Sequence, residues 1–230
     1  MGAYRHLDKI DADEFAEKIL ALLNGGKPKD FLFADVVTLV QKETGIESIG
    51  LRLRDGADYP YYVTRGFSSD FVEKENFLCA HDRRGKIIRD EAGLPQLDCM
   101  CGNIIRGRTD ASLPQFTKGG SFWTNSTSDY LNRRTVIDRE TSTRNRCNAE
   151  GYESVALIPV RDLDTYGLLQ LNDRRKNLYS IRFIELMEWV AASIGILISY
   201  MHQHGNVEMI RDDLHRFSPG RVFGPIKNRE

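Results

Sequence analysis

The chain is regular at both ends and irregular in the middle, and its four cysteines, Cys79, Cys99, Cys101 and Cys147, all lie in the irregular part. Between residues 66 and 150 glycines recur, charged stretches such as Asp82-Arg83-Arg84-Gly85-Lys86 interrupt the pattern, and long apolar runs are few. So long a segment without regular structure inside a compact domain is usually functional or disordered. Phe116, Phe122, Trp123 and Tyr130 give this one side chains to bury, which argues against disorder. The flanks therefore carry the regular elements, and the middle is read as loops with short elements.

The flanks are legible. Asp11, with Glu14 three residues on, is a helix start of the capping-box kind, and Phe15, Ile19, Leu22 and Leu23 recur at helical spacing until Gly25-Gly26. A second helix carries Phe31, Val36, Val37, Leu39 and Val40 and stops at Thr44-Gly45, with an apolar face broad enough to pack on a sheet. Residues 46–53 alternate as a half-buried strand, Asp55-Gly56 is a hairpin-type turn, and Tyr59 to Thr64 returns as the partner strand. After the irregular segment, Ser154 to Val160 is an apolar run typical of a central strand, expected to end near Pro159. Tyr166 to Leu171 pairs with it. Ser180 then caps a long helix whose stripe of Phe183, Ile184, Met187, Trp189, Val190, Ile194, Leu197 and Ile198 exceeds what one sheet face needs to cover. From Ser218 the proline, glycine and charge content predicts a flexible tail.

Composition sets outer bounds. A chain of 230 residues with 41% apolar content supports one domain with appendages and a sizeable core. The net charge of -1, with 28% charged residues of both signs interspersed, gives no field to attract nucleic acid or an anionic membrane. No N-terminal apolar h-region and no membrane-spanning run is present, so a cytoplasmic setting with reduced thiols is expected. Gly102 and Gly107 lack the following Lys-Ser/Thr of a phosphate loop. No nucleophile with a base and an orienting group stands out, so no catalytic residue is assigned.

Four thiols in one segment admit several chemistries. Structural zinc takes four cysteines, although the usual pairs separated by two to four residues are absent here. Iron–sulfur clusters also take four thiolates, with looser spacing. Thiol redox chemistry and burial as small apolar side chains complete the set. Arg144 and Arg146 flank Cys147, and Arg106 and Arg108 follow Cys101; such cations would lower thiolate pKa values and offset a negative centre. Trp123, Asn125, Arg144 and Asn145 form a second candidate set, an aromatic face with carboxamides and a guanidinium suited to a small polar or anionic ligand. The competing account puts Phe122 and Trp123 in the core, with Asn125 capping a helix over Ser126 to Leu131. His81 beside Cys79 reads as a surface residue, and Met187 and Met201 as packing.

The segments Cys99-Met-Cys-Gly-Asn103, Gly119-Gly-Ser-Phe-Trp-Thr-Asn125, Arg144-Asn-Arg-Cys147, Gly151-Tyr-Glu-Ser-Val-Ala-Leu-Ile-Pro159 and Gly167-Leu-Leu-Gln-Leu-Asn-Asp173 resemble those of a cysteine-bearing GAF-domain subgroup found in multi-sensor histidine kinases of anaerobic bacteria. The resemblance spans roughly residues 31–200. It implies an α/β (α+β) fold with a central antiparallel sheet of about six strands, N- and C-terminal helices packed on one face, and a ligand site on the other. In that layout Cys79, Cys99, Cys101 and Cys147 would converge on one metal centre, an iron–sulfur cluster being preferred over zinc.

The expected organisation is an N-terminal helix over 1–30, a GAF-like sensor domain over 31–200 with a cysteine-containing insertion at 77–150, and a helix extension with tail over 201–230. The function expected is sensing of redox state, oxygen or a small ligand, signalled through the terminal helices of a homodimer to a histidine kinase or other partner. No output signature follows residue 210, so the chain is either part of a longer sensor or acts through a bound partner. Two alternatives stand: a thiol redox enzyme like the free methionine sulfoxide reductases, which share the GAF fold, and a ligand-binding GAF domain with structural zinc.

Overall fold

The computed structural model describes residues 7–133, 144–163 and 165–204; the expected tail from Ser218 lies outside them. Two helices come first, α1 (Ala12–Leu23) and α2 (Lys29–Thr44), then strands β1 (Ser48–Leu53) and β2 (Tyr61–Arg65). The middle contributes α3 (Ser69–Glu75), α4 (Cys99–Ile105), β3 (Phe122–Thr124), α5 (Thr127–Arg133) and α6 (Arg146–Ala149). The chain closes with β4 (Ser154–Arg161), β5 (Thr165–Asp173) and α7 (Ile181–His204).

Local chemistry accounts for the helix ends. The Asp11 carboxylate accepts from the N–H groups of Asp13 and Glu14, satisfying two donors that the first turn of α1 leaves free. Gly45 ends α2 in the left-handed region at φ 64°, where its N–H reaches back to Gln41 O. Ser180 Oγ accepts from Phe183 N at the start of α7. Phe31, counted on the apolar face of α2, is instead 68% exposed.

The five strands form one antiparallel sheet in the order β2-β1-β5-β4-β3. Five rather than about six strands are present among the described residues, because the irregular segment contributes only the three-residue β3. Strand β4 does not end at Pro159: it runs to Arg161, with Pro159 opposite Leu168 of β5. Proline lacks an N–H to donate, and Pro159 lies past Leu157, the last β4 residue that β3 pairs with.

The alternation of β4 and β5 divides the interior into two cores. Ala156, Ile158, Val160, Leu169 and Leu171 face α1, α2 and α7 in the larger core. Val155, Leu157 and Leu168 face the other way, toward Phe71, Leu78, Cys79, Leu97, Cys101, Ile104 and Phe122 of the irregular segment. The terminal helices thus cover one sheet face and the cysteine-bearing segment covers the other, as expected. Much of the apolar stripe on α7 is spent within the single chain, where Phe183, Met187, Trp189, Val190, Ile194 and Leu197 are buried; Phe15 and Ile19 of α1 are buried too, while Leu22 is half-buried. Among the described residues no helix is long and apolar enough to cross a membrane.

Candidate functional site

Residues 78–98 form an arm of paired bridges, Cys79 with Leu97, His81 with Ile87 and Arg89 with Pro95. Two aspartates hold its turns. Asp82 accepts from the N–H groups of Arg84 and Lys86, and Asp90 accepts from those of Ala92 and Leu94. The charged stretch that looked like loop is therefore made of Asp-x-x-Gly turns closed by side-chain hydrogen bonds. His81 is exposed on this arm.

The arm keeps Cys79 apart from the other cysteines. Its N–H donates to Asp58 Oδ2 at 3.1 Å and its thiol donates to Ala57 O at 3.4 Å. Burial, then the neighbouring Asp58 carboxylate, push this thiol up to about 12, so it is held as a neutral donor. Cys99, Cys101 and Cys147 do meet. They line one cavity of about 60 Å³ whose walls include Phe122, Val155 and Leu157. Helix α4 carries Cys99 and Cys101 onto β4 and β5, and the short α6 brings Cys147 alongside. Cys79, the fourth cysteine of the expected centre, is not among the residues that line this cavity. Among the described residues no group of three or more His, Cys, Asp or Glu side chains is gathered to hold a metal ion.

The three pocket thiols differ in charge. Cys99 and Cys101 share a hydrogen bond, and the thiol of Cys101 donating to Cys99 lowers the latter to about 6 against the opposing effect of burial. A Met100 backbone hydrogen bond and the Arg144 guanidinium add to the lowering, while Glu75 opposes it. Cys101, by the same hydrogen bond and its burial, stays protonated. Burial and the Cys99 charge push Cys147 up to about 12. At neutral pH the pocket thus holds one thiolate and two thiols, the state a dithiol needs to attack or be attacked. Cys99 also sits at φ 66°, a left-handed conformation costly for a residue with a Cβ.

The pocket floor is a polar network in the sheet. Tyr61 Oη donates to Gln170 Oε1 at 2.9 Å, and Gln170 Nε2 points to Cys147 Sγ at 3.7 Å and to Asn172 Oδ1 at 3.2 Å. Asn172 is fully buried, and a hydrogen bond from its side chain to Cys147 works against the rise of that thiol. Beside them Arg52 is 1% exposed, stacked 3.6 Å over the Tyr61 ring and donating to the carbonyls of Tyr59, Asn76 and Glu75. Sequence reasoning missed Arg52, Gln170 and Asn172. A signal was present for two of them: Gln170 and Asn172 are polar residues spaced by two among the leucines of one strand, hence on one face.

The second expected set divides. Trp123 and Asn125 line a groove of about 760 Å³ with Asn103, Arg108, Gln115 and Arg133. Asn125 serves structure there, donating to Tyr179 O and accepting from Tyr179 N, which ties β3 to the turn before α7. Helix α5 is capped instead by Ser126, whose Oγ accepts from Asp129 N. Asn145 lies on the thiol cavity. Arg144 faces away from both: with Arg146 it contacts the buried Glu75 carboxylate at 3.6 and 3.3 Å and also donates to Phe77 O. Arg106 donates to Pro95 O, and Arg108 lies 3.9 Å from Asp90. The Arg144 guanidinium is near enough to help lower Cys99.

No family model and no curated protein matches the sequence. Solved structures do. The GAF domain of a phosphoenolpyruvate-protein phosphotransferase from Acinetobacter aligns with TM-score 0.55 at 12% identity, over 85% of this chain and 96% of that one. Its counterpart from Coxiella burnetii gives 0.56 at 11%, over 85% and 97%. The fRMsr of Staphylococcus aureus, solved in complex with substrate, gives 0.54 at 10%, over 82% and 95%. At these identities the likeness is one of fold, and the chain has the GAF-domain fold.

Proposed function

We propose that this GAF-fold domain is a sensory or regulatory module whose input is read by thiol chemistry at Cys99, Cys101 and Cys147. The observation that carries the reading is the meeting of Cys99, Cys101 and Cys147 on one small cavity walled by Phe122, Val155 and Leu157. A hydroperoxide would be the oxidant. The Cys99 thiolate attacks the peroxide oxygen, the O–O bond breaks, and a proton taken up from solvent leaves with the departing alkoxide or hydroxide as alcohol or water. The resulting sulfenic acid condenses with the thiol of Cys101 or Cys147, forming an S–S bond and releasing water. Change at α4 and α6 would pass through β4 and β5, on whose far face α7 packs, to a signalling partner. Dimerisation through the terminal helices stays a proposal, and light scattering at micromolar concentration tests it.

Mapping of disulfides by mass spectrometry after stoichiometric hydrogen peroxide tests the reading. A bond within the trio, with Cys79 untouched, is expected. Oxidation confined to Cys79, or none, would overturn it. A second reading, reductase activity, is favoured by the likeness in fold to fRMsr. There two thiols and a sulfoxide would yield a disulfide, a thioether and water. Sustained turnover of free methionine sulfoxide with dithiothreitol, lost in Cys99→Ser, would establish it. Metal analysis of anaerobically purified chain addresses the four-cysteine centre: bound iron with sulfide, or zinc, lost in Cys79→Ser would replace the dithiol reading.

A further inference from the structure

Among the described residues, Met100 and Tyr130 are the only ones that line both the thiol cavity and the larger groove beside it. Met100 sits between the two α4 cysteines in sequence, so one wall is carried by the same turn as the reactive pair. Tyr130 comes from α5, and its position is fixed twice over. Its ring packs edge-on against Phe122 at 5.2 Å, and the start of α5 is held by Glu153, which accepts from Ser126 Oγ, Ser128 N and Ser128 Oγ. The rest of the inner lining comes from β3, β4 and the short helices α4, α5 and α6 and is largely apolar.

The two spaces differ more than tenfold in size, about 760 Å³ against about 60 Å³. The outer groove is in the range of sites for drug-sized molecules. The inner one, at roughly 10 to 30 Å³ per water, holds about two to six water-sized groups. It accommodates hydrogen peroxide but not a hydroperoxide bearing a phenyl ring.

Resting on the thiol reading above, we propose that Met100 and Tyr130 form a partition that selects the oxidant, admitting small hydroperoxides from the groove to the cysteines and excluding bulky ones. Methionine suits such a wall, because its unbranched side chain shifts among rotamers while the aromatic ring opposite stays fixed.

The experiment measures second-order rates of oxidation at Cys99 in the reduced full chain with hydrogen peroxide, tert-butyl hydroperoxide and cumene hydroperoxide, each normalised to its rate with a free small-molecule thiolate. In the wild type the normalised rate should fall with size, by about tenfold or more from the first to the last, a discrimination a close-fitting apolar pocket supplies. Met100→Ala and Tyr130→Ala, on separate helices, should each raise the ratio of the cumene hydroperoxide rate to the hydrogen peroxide rate severalfold. Equal normalised rates in the wild type would overturn the partition without any variant. So would an unchanged ratio in a variant whose circular dichroism matches the wild type. If hydrogen peroxide fails to oxidise Cys99 at all, the thiol reading itself falls, and the partition with it.

Discussion

Cys99 and Cys101 are one residue apart and share a hydrogen bond between their sulfurs, so their titration belongs to the pair. Because the pair loses its first proton at about 6, the thiolate is present above that pH and disappears below it. Iodoacetamide alkylation of Cys99 should therefore rise with pH through about 6 and then level. In Cys101→Ala the donor is gone, and the midpoint should move up toward the ordinary thiol value of about 8.5. An unmoved midpoint would remove Cys101 as the cause. Arg52 makes a different kind of demand. It is buried and is held by the carbonyls of Tyr59, Glu75 and Asn76 and by the Tyr61 ring. Arg52→Leu leaves those carbonyls buried without a donor and should cost about 3–5 kcal/mol in urea unfolding. Arg52→Lys should recover only part of this, since an ammonium lacks the planar fork that spans separate acceptors.

At the scale of elements, backbone approach decides which changes the fold tolerates. A Cβ on Gly167 would lie 1.9 Å from Arg52 O, across the β1–β5 ladder. Neither backbone can yield without opening the sheet at its centre. Gly167→Ala should cost about 3 kcal/mol or more, the upper end of overpacking penalties. Gly85 is the control: its Cβ would meet nothing, and its φ of +76° carries the only cost. Gly85→Ala should thus lose about 1–2 kcal/mol. Equal losses at the two sites, measured by thermal or urea unfolding, would show that the close contact at Gly167 is not limiting. Gly195 resembles Gly167, since its Cβ would fall 2.4 Å from Arg161 O, which is how α7 lies so near β4.

Across the whole molecule the sheet separates a large core under the terminal helices from a smaller one under the cysteine segment. Oxidation of the pocket thiols should therefore speed hydrogen exchange in α4 and α6 while β4, β5 and the first turns of α7 keep their protection; uniform loss of protection would mean the two cores are not separable. The sequence by itself determined the elements whose signals are local. Asp11, Gly45 and Ser180 mark helix ends by satisfying or releasing nearby backbone groups, and the short continuous apolar runs within 154–171 mark the paired buried strands. It also placed Cys99, Cys101 and Cys147 in the segment that covers the second sheet face. Only the tertiary structure decided that Cys79 stays outside, because Asp58 and Ala57, twenty or so residues earlier, capture its N–H and thiol. Only it turned Arg144 toward Glu75 and spent much of the α7 stripe inside one chain. Each of those outcomes depends on which distant backbone and side-chain groups arrive in contact, and residue spacing along the chain carries no record of that.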